Sequence, residues 1–419
     1  MIKIISGNEY KNNPAQFEVD LQVESAVRDI LLDVKTRGDE AVRDYTYRFD
    51  KVQLDVFEVS KEEIDKAYEG MDEYFLDTLK EAKENIERYH REQLRGGYDI
   101  EPRDGVRLGQ IVRPLKRVGV YVPGGTAAYP STVLMDVIPA KIAGVEEVIL
   151  VSPCRDGKVN AGVLAAAKLA GADRIFRIGG AQAIGALAFG TESIPKVDKI
   201  VGPGNAYVAT AKKQVFGHVD IDMIAGPSEI LIVADDSANP EFVASDMLGQ
   251  AEHDKRAGIT LVCLSRDFAD KVVVELDKQL SLLPRVDIAS VSIDNGRIVV
   301  VDGIDEAIDI ANDVAPEHLE LCVDNPFGLL DKVKNAGGIF LGHFSPEALG
   351  DYYAGTNHTL PTSGTARFQS PLSVDDFVKK SSYLYYTEEA LKKVGERVAD
   401  FAQREGLDAH AESIKVRLK

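Results

Sequence analysis

Residues 147–178 read EVILVSPCRDGKVNAGVLAAAKLAGADRIFRI. A short β-branched run at 147–151 gives way to an alanine-rich run of helical period at 159–169, and a second β-branched run follows at 174–178. Strand and helix alternation at this spacing predicts βαβ units and a parallel sheet. The pattern extends in both directions. Upstream, a strand at 117–122 precedes a helix at 133–143, and downstream a helix is predicted at 181–189. A second set follows, with strands at 230–233, 259–264, 298–301, 319–323 and 339–341 between helices at 242–253, 272–283, 307–314 and 329–336. Two α/β sheets are the simplest account, and the two sets are candidates for an internal duplication.

The flanks differ. From about 17 to 92 the text is charged and helical in period, with Leu21, Val27, Ile30, Leu31 and Val34 on one stripe. Beyond about 345, glycine, proline, threonine and tyrosine dominate. A final amphipathic helix is predicted from 387 to roughly 403, and its stripe of Leu391, Val394, Val398 and Phe401 needs a partner surface on this chain or on a second copy.

A chain of 419 residues exceeds the usual size of one hydrophobic core, so two or more domains are expected. With 49 basic and 68 acidic residues the formal charge is −19, which repels phosphate backbones and anionic lipid; neither nucleic acid nor membrane is an expected partner. Three cysteines, Cys154, Cys263 and Cys322, are too few and too dispersed for a disulfide framework or a thiolate zinc cluster. The first residues turn polar quickly and no run reaches membrane-spanning length, so the expected location is the cytoplasm.

Among seven histidines, His253 stands three residues after Gln250 in a predicted helix, so the two side chains project from one face. They could share a metal, or be a buried amide and imidazole satisfied by hydrogen bonds. A zinc site would still want a carboxylate and another imidazole, for which Asp351 and His410 are available types that spacing cannot select. Glu317-His318 stands between a helical run and a strand, where it suits proton transfer or a solvated helix end. Glycine-rich turns at 122–126 and 202–205 follow strands and could hold phosphate, but neither is the Gly-x-Gly-x-x-Gly fingerprint, and ordinary tight turns serve equally. Cys154 falls at the carboxyl edge of a sheet, as an aldehyde-attacking thiolate would, though only Arg155 is at hand to lower its pKa.

Taken together, the motifs GVYVPGG (119–125), GAQAI (180–184), VGPGN (201–205), AGPSE (225–229), GQAEH (249–253), APEHL (315–319), LGDY (349–352), GTNH (355–358) and EGLDAH (405–410) resemble the histidinol dehydrogenase family along essentially the whole chain. The resemblance implies a zinc- and NAD-dependent enzyme, with one zinc per subunit, that oxidises L-histidinol to L-histidine through the aldehyde using two NAD. It makes Gln250, His253, Asp351 and His410 the zinc ligands, and Glu317 and His318 the acid-base pair. Tyr121, Gln182 and Asn205 become NAD contacts. Ser228, His358 and Glu405 become histidinol contacts, together with the zinc ligands and His318.

The resemblance also implies a homodimer whose tail reaches the partner's site. The implied fold is α/β, with two Rossmann-like parallel-sheet domains, one inserted in the other. Residues 1–115 and 230–372 would form the larger domain, with its helical N-terminal segment, and 116–229 the inserted NAD-binding domain. Residues 373–419 would be the dimer-swapped tail. His318, with an ordinary pKa near 6.5, suits deprotonation of the alcohol, and Glu317 that of the water which hydrates the aldehyde. The competing readings are a cysteine-dependent aldehyde dehydrogenase using Cys154, a zinc hydrolase without NAD, and a non-catalytic metal-binding dimer.

Overall fold

The computed structural model describes residues 2–10, 21–124 and 128–419. The beginning of the expected helical opening, 17–20, and Gly125 and Thr126 of the first glycine turn lie outside the described residues. The chain divides into two compact units, Met1–Gln93 with Leu115–Phe377, and Leu94–Pro114 with Val378–Lys419. No helix among the described residues is long and apolar enough to cross a membrane.

The first unit holds both expected parallel sheets. One has five strands in the order Arg174–Phe176, Glu147–Val151, Arg117–Tyr121, Lys199–Val201, Asp220–Ile221, all parallel. The direction of strand progression reverses between Arg117–Tyr121 and Lys199–Val201, and there a doubly wound sheet opens a crevice beyond its strand ends. Gly202, at φ +108°, makes the turn out of the second of these strands. A Cβ there would overlap the Tyr121 carbonyl, so the close approach of the two strand ends requires glycine.

The other sheet has six parallel strands, ordered Lys3–Ser6, Arg297–Val300, Gly258–Cys263, Glu229–Ala234, His318–Cys322, Gly338–Leu341. Leaving aside Lys3–Ser6 at its edge, it has the same winding as the first sheet. The helices between strands are apolar on more than one side; Ala161–Ala170 and Gly180–Phe189 bury most of their residues, as helices packed on a parallel sheet do. The helical opening runs as Leu21–Arg37, Asp39–Asp50, Lys61–Glu69 and Glu73–Arg91. Its Val27, Ile30, Leu31, Val34 and Ile86 share one core with Val118, Val120, Leu150 and Ile184 of the five-stranded layer.

The second unit contains an antiparallel sheet that the run-by-run reading did not anticipate. Tyr98–Arg103, Val106–Pro114 and Val378–Tyr386 pair in the order Val378–Tyr386, Val106–Pro114, Tyr98–Arg103. The signal was present as Asp104-Gly105, a hairpin dipeptide whose glycine has φ +73°. The final helix is interrupted: Glu388–Lys392 and Gly395–Arg404 are separate, followed by Asp408–Lys415. Gly395 packs directly on Leu418, where a side chain would collide. Ile100, Leu384 and Tyr385 of the sheet and Val398 and Phe401 of the helix are exposed.

Candidate active site

The helix carrying Gln250 spans Pro240–Ala251, capped at its start by Asn239, whose side chain accepts from the Glu241 amide. It stops two residues before His253, which the sequence had placed on the same helical face. His253 sits instead in the following turn, its amide donating to the Gln250 carbonyl at 3.3 Å. The turn separates the roles of the pair. Gln250 is fully buried, while His253 lines a cavity of about 1070 Å³.

That cavity is also lined by Ser228, Glu317, His318, Glu347, Asp351 and His358. Ser228 and His318 lie where two adjacent strands of the six-stranded sheet begin. Upstream of His318, the helix Ile304–Val314 ends on Ala315 in the left-handed region, at φ 52°, a conformation costly for a residue with a Cβ. The Pro316-Glu317-His318 turn into the strand is thereby set by the cap.

His318 is held at one nitrogen. Its Nδ1 lies 3.2 Å from the Glu229 carbonyl, which only accepts, so Nδ1 carries the proton and Nε2 the lone pair. Nε2 is buried without a hydrogen-bond partner among the described residues, 3.9 Å from Asp351 Oδ1. Nδ1 is 3.8 Å from both Glu317 Oε2 and Glu347 Oε1. Glu317 Oε2 accepts from the Glu229 amide at 3.0 Å. His358 donates from Nδ1 to the Asp351 carbonyl at 3.0 Å and meets Thr132 Oγ1 through Nε2 at 3.2 Å.

Among the described residues, His318 is the only base within ion-pair reach of Glu317, Glu347 or Asp351. Burial is the largest cause of each shift that follows. It pushes Glu317 well up, helped by the charges of Glu229 and Asp351, and Glu347 well up, helped by Asp351 and Glu317. It pushes Asp351 up to about 7. The imidazoles move the other way, His318 down to about 3 and His358 to about 4, because burial disfavours the charged form in both cases. Crowded carboxyls beside neutral imidazoles suit a divalent cation, which takes deprotonated oxygen and neutral nitrogen donors. Donor atoms of His318, Glu347 and Asp351 lie within 4.8 Å of one another. Gln250, with its amide nitrogen turned toward Glu347, donates to both carboxylate oxygens, at 2.9 and 2.7 Å, and these use its two hydrogens, so that His318 Nδ1, 3.3 Å away, keeps its own proton for the Glu229 carbonyl.

The structure therefore brings Gln250, His253, Asp351, Glu317, His318, Ser228 and His358 to one place. Glu347 was missed by sequence reasoning; Ser345-Pro346-Glu347 matches no ligand spacing, and only the chain's return past His318 reveals it. Glu405 and His410 belong to the second unit and are exposed.

Tyr121, Gln182 and Asn205 line a second cavity of about 1220 Å³, at the carboxyl ends of the five-stranded sheet. Tyr121 Oη accepts from the Gly180 amide at 3.2 Å. Asn205 caps the helix Ala206–Val215 by accepting from the Tyr207 and Val208 amides. Gln182 Oε1 is buried with no partner among the described residues. Pro123 and Asn205 line both cavities, so the two adjoin. Cys154 is also on the wall of the second cavity, but burial, with help from Asp50, pushes its thiol up, the wrong direction for a thiolate nucleophile.

The model of the histidinol dehydrogenase family matches residues 13–418. A histidinol dehydrogenase of Clostridium acetobutylicum is 56% identical over 406 residues, covering 96% of this chain and 94% of the relative. One from Bacillus cereus is 54% identical over 403 residues, covering 96% and 94%. The crystal structure of histidinol dehydrogenase from Elizabethkingia anophelis superposes with a TM-score of 0.94 at 40% identity, covering all of this chain and 98% of the other. With a match of this extent in sequence and in fold, the chain belongs to the histidinol dehydrogenase family.

Proposed function

We propose that the protein oxidises L-histidinol to L-histidine through the aldehyde, in two steps that each reduce one NAD. The observation that carries this reading is the unpartnered Nε2 of His318, a lone pair fixed by the Glu229 carbonyl in a cavity that adjoins the one lined by Tyr121, Gln182 and Asn205. In the first step His318 Nε2 takes the hydroxyl proton. In the second, Glu317 takes a proton from the water that hydrates the aldehyde; its upward-shifted pKa makes it a stronger base once ionised. Ser228, His358 and Glu405 orient the substrate. NAD, when bound in the second cavity against Tyr121, Gln182 and Asn205, supplies the hydride acceptor.

The zinc ligands in this reading are Gln250, His253, Asp351 and His410, the last contributed by a second copy. Zinc, when bound, would hold the imidazole and α-amine of histidinol and offset the crowded carboxyls. The exposed apolar side chains Ile100, Leu384, Tyr385, Val398 and Phe401 leave apolar surface on the second unit that a second copy would cover. A cytoplasmic location fits the three free cysteines.

The test is direct. Purified, zinc-supplemented protein given L-histidinol and NAD should form NADH at close to two per histidine. Histidine without NADH, or no turnover at all, would remove the proposal.

A further inference from the structure

Two carboxylates that the reading above does not use line the second cavity, the exposed Asp156 and the partly buried Asp50. Asp50 closes the helix Asp39–Asp50 and lines this cavity together with Cys154 and Gln182. One of its oxygens, Oδ2, is buried and has no hydrogen-bond partner among the described residues. Burial pushes its carboxyl up, and its charge is felt by both Tyr121 and Cys154. A buried acceptor left unsatisfied is costly, and a site that keeps one usually offers it to a ligand donor.

The position of Asp50 narrows the donor. Pro123 and Asn205 are shared with the cavity that holds His318, whereas Asp50 and Cys154 line only the second one. A dinucleotide whose nicotinamide faces His318 must enter by the shared side and leave its other end at the unshared side. That end is the adenosine, whose ribose presents two hydroxyls. In an ordinary dinucleotide fold an acidic residue about 20 positions beyond the glycine turn accepts from the 2′-hydroxyl; here the candidates at that spacing are engaged elsewhere, Glu147 with Arg117 and Asp222 with the buried Lys212.

We infer that Asp50, a residue of the helical opening outside the five-stranded sheet, accepts the adenosine ribose 2′-hydroxyl and so selects NAD over NADP. The inference rests on NAD occupying this cavity. A 2′-phosphate would replace the donor with a second anion facing a carboxylate, losing the hydrogen bond and adding repulsion. Lys51, Arg155 and Lys158 also line the cavity, but they are exposed, where water screens them.

Isothermal titration calorimetry on the full-length, zinc-loaded enzyme separates the possibilities, with NAD, NADP and 2′-deoxy-NAD as probes. The wild type should bind NADP and 2′-deoxy-NAD at least about tenfold more weakly than NAD, the worth of one charged hydrogen bond. Asp50→Ala and Asp50→Leu, which leave no acceptor for the 2′-hydroxyl, should weaken NAD about tenfold and bind 2′-deoxy-NAD as the wild type does, so that the preference over NADP shrinks. Because Oδ2 has no partner to lose, both variants should melt no lower than the wild type. Equal binding of NAD and 2′-deoxy-NAD by the wild type, or an unchanged preference in both variants, overturns the inference. Gln182→Leu tests the underlying reading separately. If it leaves NAD affinity intact, NAD lies elsewhere and the placement itself is wrong, whatever Asp50 does.

Discussion

The two cavities solve their problems at opposite ends of two sheets of like winding. The second cavity lies at the carboxyl ends of the five-stranded sheet, beside its switch point, where the general rule for doubly wound folds puts ligands. Its inner wall is built from strand-end turns, a helix cap and neutral side chains, the Gly180 amide on Tyr121, the Asn205 cap and the Gln182 amide, with charged groups such as Asp50 and Arg155 toward its far side. The first cavity draws on the six-stranded sheet at the beginnings of its strands, at Ser228 and His318. Strand beginnings offer no array of helix N-termini, so the chemistry there is carried by side chains: carboxyls, imidazoles and one amide. Folded topology recruits a ligand for the first type of site, whereas the second type depends on which residues happen to converge.

The largest effect should come from removing a reacting group in the side-chain cavity. Glu317→Gln is expected to slow oxidation of the aldehyde on the order of 10²–10⁴-fold, the usual worth of a positioned acid or base, and to slow oxidation of histidinol far less. Single-turnover rates for the two half-reactions decide it; equal losses would end the division of labour between Glu317 and His318.

A smaller but qualitative effect tests the proposal that His410 of a second copy completes the metal site. His253→Ala and His410→Ala chains, each inactive alone, should recover part of the activity when mixed, because one hybrid site would be intact. Activity is read after subunit exchange has been shown with differently tagged chains. Exchange without recovery would mean that each site is built from a single chain.

Thr359, on the wall of the first cavity, donates to a buried carboxyl behind it that allows a stability test away from the reacting centre. Asp136 is wholly buried, accepts from Thr359 Oγ1 at 2.8 Å, and is pushed up to about 8 by burial. A carboxyl raised in the folded state contributes stability that is complete below its unfolded pKa, near 4, and lost as pH rises through about 8. Asp136→Asn keeps an oxygen for Thr359 and has no such loss. Its Tm relative to the wild type should therefore climb between pH 6 and 8, by the equivalent of about 1 kcal/mol per pH unit, and level off above. A difference independent of pH would show that Asp136 ionises without penalty.

The smallest effect should come from the second cavity's thiol. Cys154→Ala should retain near-wild-type turnover with histidinol, since the thiol is shifted up and no acylated intermediate is needed. A dead but folded Cys154→Ala protein would restore the cysteine mechanism and make the two cavities chemically alike.

The parallel sheets were legible because strand and helix alternate in the chain with clean changes of period, as at 147–151, 159–169 and 174–178. The antiparallel sheet was not. Its Val378–Tyr386 strand pairs with Val106–Pro114 across more than 260 residues of chain, and the exposed, mixed faces of these strands and of the local hairpin partner Tyr98–Arg103 lack the strong periodicity of a covered layer. Gln250 and His253 could be named as candidates, but their geometry was misjudged, because the helix ends at Ala251 and a turn carries His253 into the cavity.

What the sequence determined alone was therefore the class of architecture and, through ordered motifs, the family and its candidate residues. Local periodicity and short motifs are properties of neighbours in the chain, and these survive without knowledge of the fold. The tertiary structure decided which of those residues meet. It placed Glu347 and Asp351 against His318, fixed the free nitrogen of that imidazole through the Glu229 carbonyl, and left an oxygen of Asp50 unsatisfied in the second cavity. Each of these depends on packing between segments far apart in sequence, and on the burial that shifts the charges once they are brought together.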